Sequence, residues 1–415
     1  MLKQILKIHA QKPFSEEKID IRVDGLNLII TGGNGSGKTS FVKAVYDKLR
    51  YFIVDRGDER ADQIAATRNY WNRELNSSEL NTRNFNQATK ELSNIEIAIS
   101  EKKALPQFEF KDLNKIRVEI ESGKGVVEMF EAYRQANIAE VRSASSIEYN
   151  HAELRQETSS ANIGSKLEGH LVNLHTRRVF ALNDNKNAEL YASITKWFEK
   201  FRENLRVLLE DEFADIVFDA DKFKFFISQK NKPLYTFQTL SSGYSSIFAI
   251  LARLLMRSEY LRISPSELSG VVIIDEIDAH LHVSLQKKIL PFLCSNFPGL
   301  QFVVTTHSPF VLSSVSDAVI YDLTTSEQVE DLSSYSYSAV LQAVFGVVSS
   351  SDLLDQRISE LSDIVDSLDP DFDRLSELVG LVGSDHNRMD EESKFFVNKA
   401  IYLLKNHNTS VRKNV

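Results

Sequence analysis

The chain has 415 residues, 42% of them hydrophobic, which excludes wholesale disorder because a chain this apolar has enough surface to bury. With 49 Lys and Arg against 58 Asp and Glu, the net charge of −9 excludes a surface coated throughout with nucleic-acid-binding positive charge, though not a local basic groove. Gly (16) and Pro (8) are sparse, so long helices are expected, and the one cysteine, Cys294, builds neither a disulfide framework nor a Cys-based zinc site.

In chain order, residues 4–9 and 19–23 alternate apolar and polar and predict half-buried strands, and 26–31 a more buried one. The start of the chain is too polar for a signal-peptide core. A Gly-rich turn leads into an amphipathic helix over 38–49. Residues 58–103 are polar and Gly-poor and predict a helical hairpin inserted between core strands. Strands are expected at 115–120 and 125–130, joined by a hairpin through 121–124. A second helical region is expected over 145–212, with Trp197, Phe198, Phe201, Leu205 and Leu208 at helical spacing. Short strands follow at 216–218 and 223–227, then an apolar helix over 246–255 and buried strands at 271–274 and 301–304. After Asp322 the pattern is mostly helical, and the polar, basic end from 406 is expected to fray. The most apolar stretch, 247–256, is interrupted by Arg253 and falls far short of the ~20 residues a membrane span needs. A soluble, cytoplasmic protein without membrane contact is expected.

The chemistry-bearing residues cluster at four places. Gly32-Gly33-Asn34-Gly35-Ser36-Gly37-Lys38-Thr39 matches G-x-x-x-x-G-K-[ST] between a strand and a helix, the context a P-loop requires. Its backbone N–H groups and helix N-terminus would cradle phosphates, Lys38 would reach the β- and γ-phosphates, and the Thr39 hydroxyl would face Mg²⁺. Val271-Val272-Ile273-Ile274 is a buried strand ending in Asp275-Glu276, where ligand sites of open α/β sheets lie. Asp275 would hold Mg²⁺, directly or through water, and Glu276 would orient and deprotonate an attacking water; alone, the pair also reads as a solvated acidic turn. A third buried strand ends in Thr305-Thr306-His307-Ser308; beside a nucleotide its imidazole would hydrogen-bond the γ-phosphate, while alone a strand-end His also reads as structural. Leu240-Ser241-Ser242-Gly243-Tyr244 opens the apolar helix; it reads either as an ordinary N-cap or as a second anion site. One nucleotide needs only one such helix start, so the second would serve the nucleotide of another subunit.

This order of motifs resembles the ABC-type ATPases, and more closely their SMC/RecF/OLD-like branch. Its D-E-x-x-x-H-L-H segment is similar to Asp275-Glu276-Ile277-Asp278-Ala279-His280-Leu281-His282, followed by Gln286. The resemblance covers about 1–50 and 235–325. It implies an α/β fold, a P-loop ABC-type ATPase head with a mixed β-sheet flanked by helices, helical insertions and a helical C-terminal tail. The corresponding division is 1–57 for the N-terminal part of the core, 58–105 for a helical insertion and 106–140 for core strands and the Q-loop. It continues with 141–212 for a helical region, 213–325 for the C-terminal part of the core and 326–415 for the tail. The resemblance also implies two heads paired head to tail around two ATPs. ATP and Mg²⁺ are then the ligands, with Gly32, Asn34, Gly35, Ser36, Gly37, Lys38, Thr39 and Ser40 around the nucleotide and Thr39 and Asp275 at the metal. Lys38, Glu276 and His307 would be catalytic, His307 as the switch histidine. Ser241, Ser242 and Gly243 would form the signature on the partner's ATP, and Asp278 the D-loop. Against the usual L-S-G-G-Q, Ser242 replaces a glycine and Tyr244 a glutamine, which alters the strength of that contact. Gln135 is the Q-loop candidate and Gln63 the runner-up.

Other features read plainly. His280 and His282 lack further ligands nearby for a zinc site. Cys294 reads as a small core residue, and Asp369, Asp371 and Asp373 as a solvated acidic loop. Nothing sustains heptads over many turns, as a long-coiled SMC protein would, and the tail lacks the strands of a TOPRIM nuclease. The chain therefore resembles the compact, nuclease-free ATPase subunits of Septu-like, retron-associated and PARIS-like antiphage systems. The function this implies is an ATPase with slow or regulated turnover between paired heads. It would control a separate effector, a nuclease or toxin, with a reverse transcriptase and non-coding RNA as further candidate partners. The alternative is a RecF-like DNA-repair or DNA-loading ATPase that binds nucleic acid directly, and a third class is a scaffold that binds ATP and barely turns over. The helical stretches 58–105 and 145–212 are the expected partner surfaces.

Overall fold

A computed structural model describes residues 4–141, 163–183, 187–330, 352–365, 370–382 and 391–411, with Leu332 and Ser367. The chain divides into two units, Met1–Tyr337 and Ser338–Val415.

The first unit is organised by a six-stranded sheet in the order β11-β10-β3-β9-β8-β5. Its strands are β3 Asn27–Thr31, β5 Gly125–Phe130, β8 Ser269–Ile274, β9 Leu300–Thr305, β10 Ala318–Asp322 and β11 Glu327–Glu330. All are parallel to their neighbours except β11, which runs antiparallel to β10. The parallel strands β3, β9 and β10 are buried at every position, the continuous burial expected when both faces of a sheet are covered. Parallel order brings the C-terminal ends of β3, β8 and β9 to one edge, and the sequence motifs end there. Two of the buried polar side chains of these strands tie neighbouring segments together. Gln301 accepts from the Gln4 and Ile5 amides at 3.0 and 2.8 Å and donates to the Ile5 and Leu26 carbonyls at 3.2 and 2.6 Å. Asn27 accepts from the Phe302 amide at 3.0 Å.

An antiparallel sheet, order β2-β1-β4, is built from β1 Ile5–Gln11, β2 Lys18–Arg22 and β4 Gln107–Phe110. Helix α1, Lys38–Ile53, lies between the two sheets: its Phe41, Val42, Val45 and Leu49 share one core with Ile8 and Ile21 of the small sheet and Leu28, Ile30 and Ile273 of the large one. The predicted helical insertion consists of α2 Gly57–Ala66, α3 Arg68–Ser77 and α4 Arg83–Lys103. Two buried cations root it on α1. Lys48 donates to the Glu101 carbonyl at the C-terminal end of α4, where a positive charge meets the negative end of the helix dipole. Arg117 binds the Phe52 carbonyl at 3.0 and 2.8 Å and the carboxylates of Asp58 and Glu59 at 2.5 and 2.6 Å.

Arg117 belongs to a correction. Residues 115–120 are not a strand but part of α5, Leu113–Glu121. Asp112 caps its start, accepting from the Lys115 amide at 2.9 Å. Ile116, Val118 and Ile120 alternate, but Leu113, Ile116 and Ile120 are also spaced for one helical face; Ile116 is fully buried and Val118 is 60% exposed. The predicted hairpin is therefore a helix-to-strand turn through Gly123, which takes φ 83°. The sequence pattern marks none of the strands β4, β10 and β11. Strand β11 follows a turn in which the Asp322 carboxylate accepts from the Thr324 and Thr325 amides at 2.6 and 3.2 Å, so the chain after Asp322 first makes a strand.

The second helical region holds α6 Leu167–Asn183 and α7 Ala188–Leu209, packed on the hairpin of β6 Asp215–Asp219 and β7 Lys224–Ser228; its first part, to residue 162, lies outside the described residues. Helix α8, Ser242–Leu261, and α9, Val283–Asn296, complete this unit with a single turn at Pro309–Leu312. Cys294 on α9 is half-buried rather than core, with its Sγ 3.4 Å from Asn27 Nδ2. The second unit contains α10 Asp352–Val365, α11 Phe372–Val382 and α12 Glu391–Val411, packed around Leu361, Leu375, Leu378 and Val397. Helix α12 continues through the stretch expected to fray, as far as Val411. Asp371 caps α11 through the Arg374 amide at 3.0 Å and Asp373 lies in its first turn, whereas Asp369 is outside the described residues.

Candidate active site

The P-loop joins β3 to α1. Gly37 is the N-cap of α1 at φ 89°, and a Cβ there would come within 2.3 Å of Pro13, so only glycine fits. Gly32 (φ 137°) and Gly35 (φ 79°) also take backbone conformations that other residues rarely adopt. Asn34 and Gly35 form the exposed tip, and Ser36 lies on the inner side with a buried Oγ that has no partner among the described residues. An orphaned hydroxyl beside free helix N–H groups is what a phosphate would complete. Lys38 is buried and its Nζ curls back onto the carbonyls of Gly32 and Gly33 at 3.0 and 3.1 Å. Burial pushes its pKa down, opposed by Glu276, Asp275, Asp322 and Asp278. Ser40 is exposed in the first turn of α1.

Thr39 ties this loop to β8: its Oγ1 donates to Asp275 Oδ2 at 2.8 Å. The other oxygen of the buried Asp275 accepts from Thr305 Oγ1 at 2.6 Å, and that same hydroxyl accepts from the Glu276 amide at 2.7 Å. Thr39 and Asp275 thus set two oxygen donors side by side, a fit to a hard cation such as Mg²⁺. Glu276 takes φ 46°, a left-handed conformation that costs a non-glycine residue about 1–3 kcal/mol and recurs at functional sites. Asp278 accepts from Thr306 Oγ1, and Ser308 joins Gln286 at 2.6 Å, so the residues after Asp275 are laced to those after β9. His307 is half-buried; burial and the nearby Lys38 ammonium lower its pKa, opposed by Asp278 and Glu276, so the ring is neutral at pH 7.

Ser241 is the N-cap of α8, exposed, and its side chain makes no capping bond. The ordinary N-cap reading therefore does not describe its hydroxyl. Ser242 is exposed beside it. Gly243 presses on the loop after Asp278: a Cβ would meet the His280 carbonyl at 2.6 Å. Tyr244 turns inward, with its hydroxyl 3.5 Å from the Leu209 carbonyl at the end of α7. Gln135 is exposed after β5 and donates to Tyr133 Oη at 3.1 Å, while Gln63 is exposed on α2. His282 caps α9 through Ser284, and among the described residues no group of three or more His, Cys, Asp or Glu could hold a metal ion.

Three participants escaped the motif reading. Arg134 donates to the carbonyls of Asp275, Glu276 and Ile277 at 2.8, 3.1 and 3.2 Å, with no motif to mark it. Thr324 Oγ1, in the turn after β10, accepts from the Gly33 amide at 2.8 Å. Phe14, in the β1–β2 turn, is 87% exposed at φ 59° and reaches the P-loop at Gly37. A positive φ is invisible in composition, and contact across the fold is invisible in spacing.

A P-loop at the C-terminal end of β3, a histidine after the neighbouring strand β9 and an Asp-Glu pair after β8, one strand further, define a P-loop NTPase core with the ABC-type order of motifs. The chain belongs to the family of AAA domains described as putative AbiEii toxin, type IV TA system, whose profile matches residues 28–313. It is similar to the retron Ec83 probable ATPase of Escherichia coli, 39% identical over 98 residues, which are 23% of this chain and 18% of that protein. It is also similar to the Septu protein PtuA of Bacillus thuringiensis, 33% identical over 102 residues, 23% of this chain and 26% of that one. The matches thus span about a quarter or less of either relative. An SMC head domain from Thermotoga maritima aligns over 76% of this chain and 94% of its own at 12% identity, with a TM-score of 0.33, a distant likeness. Among the described residues no helix is long and apolar enough to cross a membrane.

Proposed function

We propose that the protein is an ATPase of an antiphage defence system that hydrolyses ATP between paired heads and thereby controls a separate nuclease or toxin. The observation that carries this reading is the hydrogen-bonded chain Thr39–Asp275–Thr305–Glu276, which links phosphate cradle, metal ligands and general base at one sheet edge. The P-loop amides and Lys38 bind the phosphates, and the exposed Phe14 ring offers a face for the base to stack on. Thr39 and Asp275 would hold Mg²⁺, which when bound draws charge from the phosphate oxygens. Glu276 takes the proton of the attacking water, and neutral His307 offers a hydrogen bond to the terminal phosphate. Ser241 and Gly243 contact the nucleotide of a second copy, which makes ATP the link between heads. The names of the retron and Septu relatives support the defence setting, and α2–α4 and α6–α7 are the surfaces proposed for the effector.

The test uses two variants of the full chain. Lys38→Ala is expected to lose ATP binding by calorimetry, and retained affinity would remove the P-loop from its role. Glu276→Gln is expected to bind ATP and remain paired by light scattering, with turnover down about 10²–10⁴-fold. Unchanged turnover would take the base role from Glu276. Purification of Glu276→Gln with ATP from its native locus should bring down a stoichiometric nuclease or toxin; recovery with duplex DNA and repair proteins instead would overturn the defence reading.

A further inference from the structure

The segment after β5, which holds the Q-loop candidate Gln135, touches three parts of the site. At Arg134 the guanidinium is half-buried, and all its hydrogen bonds go to backbone carbonyls: Glu131 and Ala132 of its own turn at 3.0 and 3.4 Å, then Asp275, Glu276 and Ile277. Burial lowers its pKa to about 10, with Asp275, Asp278 and Glu276 opposing, so it keeps its charge at pH 7. Two residues on, the Ala136 amide donates to Ser245 Oγ in the first turn of α8 at 2.9 Å. Two further on, the Ile138 carbonyl accepts from Gln238 Nε2 at 3.2 Å, three residues before Ser241. Residues 134–138 are thus fastened at one end to the turn carrying Glu276 and at the other to the start of α8.

That turn needs fastening. Glu276 sits in the left-handed region, which persists only where its surroundings hold it. Thr305 holds the amide of Glu276 and Arg134 holds its carbonyl. The planar fork of a guanidinium spans three successive carbonyls; a lysine ammonium, a point charge, does not.

We propose that Arg134 is a positioning residue: it holds the Glu276 backbone in the turn that aims the carboxylate, and the segment 134–138 relays the position of helix α8 to that turn. This rests on the reading of Glu276 as base and of Ser241–Gly243 as a nucleotide contact. A nucleotide seated on α8 of one chain is then registered by the base of the same chain, through the protein interior.

The test compares Arg134→Ala, Arg134→Lys and Ser245→Ala in the full chain, reading single-turnover hydrolysis against ATP Kd. Both arginine variants should lose about tenfold to a hundredfold in rate, the scale of a small misplacement. Their ATP Kd should stay within about twofold of wild type, the split that marks a transition-state effect. Methylguanidinium should restore part of the Arg134→Ala rate and methylammonium none. Ser245→Ala should lose less, and adding it to Arg134→Ala should cost no further rate, because both act through one relay. Wild-type rate in a folded Arg134→Ala, equal losses of rate and affinity, or full additivity with Ser245→Ala each overturns the proposal. If Arg134→Ala does not fold, the rate-against-Kd split of Arg134→Lys decides. A wild-type chain that neither binds nor hydrolyses ATP overturns the ATPase reading itself; active wild type with an unaffected Arg134 variant overturns this inference alone.

Discussion

Thr305 presents one hydroxyl to two neighbours: it donates to Asp275 and accepts from the Glu276 amide, so the metal ligand and the base cannot shift independently. Its neighbour Thr306 does the same for Asp278 and the Ser308 amide. Between them and Lys38, His307 has its pKa lowered, first by burial and then by the ammonium. The sign follows: the neutral form is favoured, so the stability this brings is fully present above the ordinary 6.5 and is lost as pH falls through the lower folded value. An NMR titration should place the His307 midpoint below 6.5, and Lys38→Met should raise it. A midpoint unmoved by Lys38→Met would separate the two residues.

At the scale of elements, α5 tests how local pattern and tertiary context compete. Val118→Lys should change stability by no more than about 0.5 kcal/mol, because Val118 points to solvent, whereas Ile116→Ala should cost about 2–5 kcal/mol. Urea unfolding checks both, and a large loss from Val118→Lys would restore the strand reading. The case also marks what was legible beforehand. Four strands of the large sheet, β3, β5, β8 and β9, were readable because stretches such as 271–274 are apolar on both faces, and the P-loop because its glycines have a backbone reason to be there; β10 and β11 were not. The alternating Ile116, Val118 and Ile120 satisfied two periods at once, and only the Asp112 cap and the burial of Arg117 against Phe52, Asp58 and Glu59 settle the choice. Arg134 was beyond reach for another reason: its partners lie some 140 residues away, and they are carbonyls, which every residue has.

At the scale of the whole molecule, the first unit leaves its anion-seeking features apart: the P-loop at one helix start and exposed Ser241 and Ser242 at another. In the Glu276→Gln background, Ser241→Arg should keep the ATP affinity of the monomer and lose ATP-dependent pairing, read by light scattering; loss of monomer affinity would place Ser241 in its own chain's site instead. The root of the insertion has a mechanical consequence. Helix α1 has 16 residues and is therefore a rod about 24 Å long, with the phosphate cradle at one end. At the other end, Lys48 and Arg117 rivet α2 and α4 to it. On a rod of that length a tilt of about 5° at the rivets would displace the cradle end by about 2 Å, more than half a hydrogen-bond length, and the packing of Phe41, Val42, Val45 and Leu49 between the two sheets opposes it. The α2–α4 arm and the P-loop are thus two ends of one stiff element, joined although no residue of the arm approaches the loop.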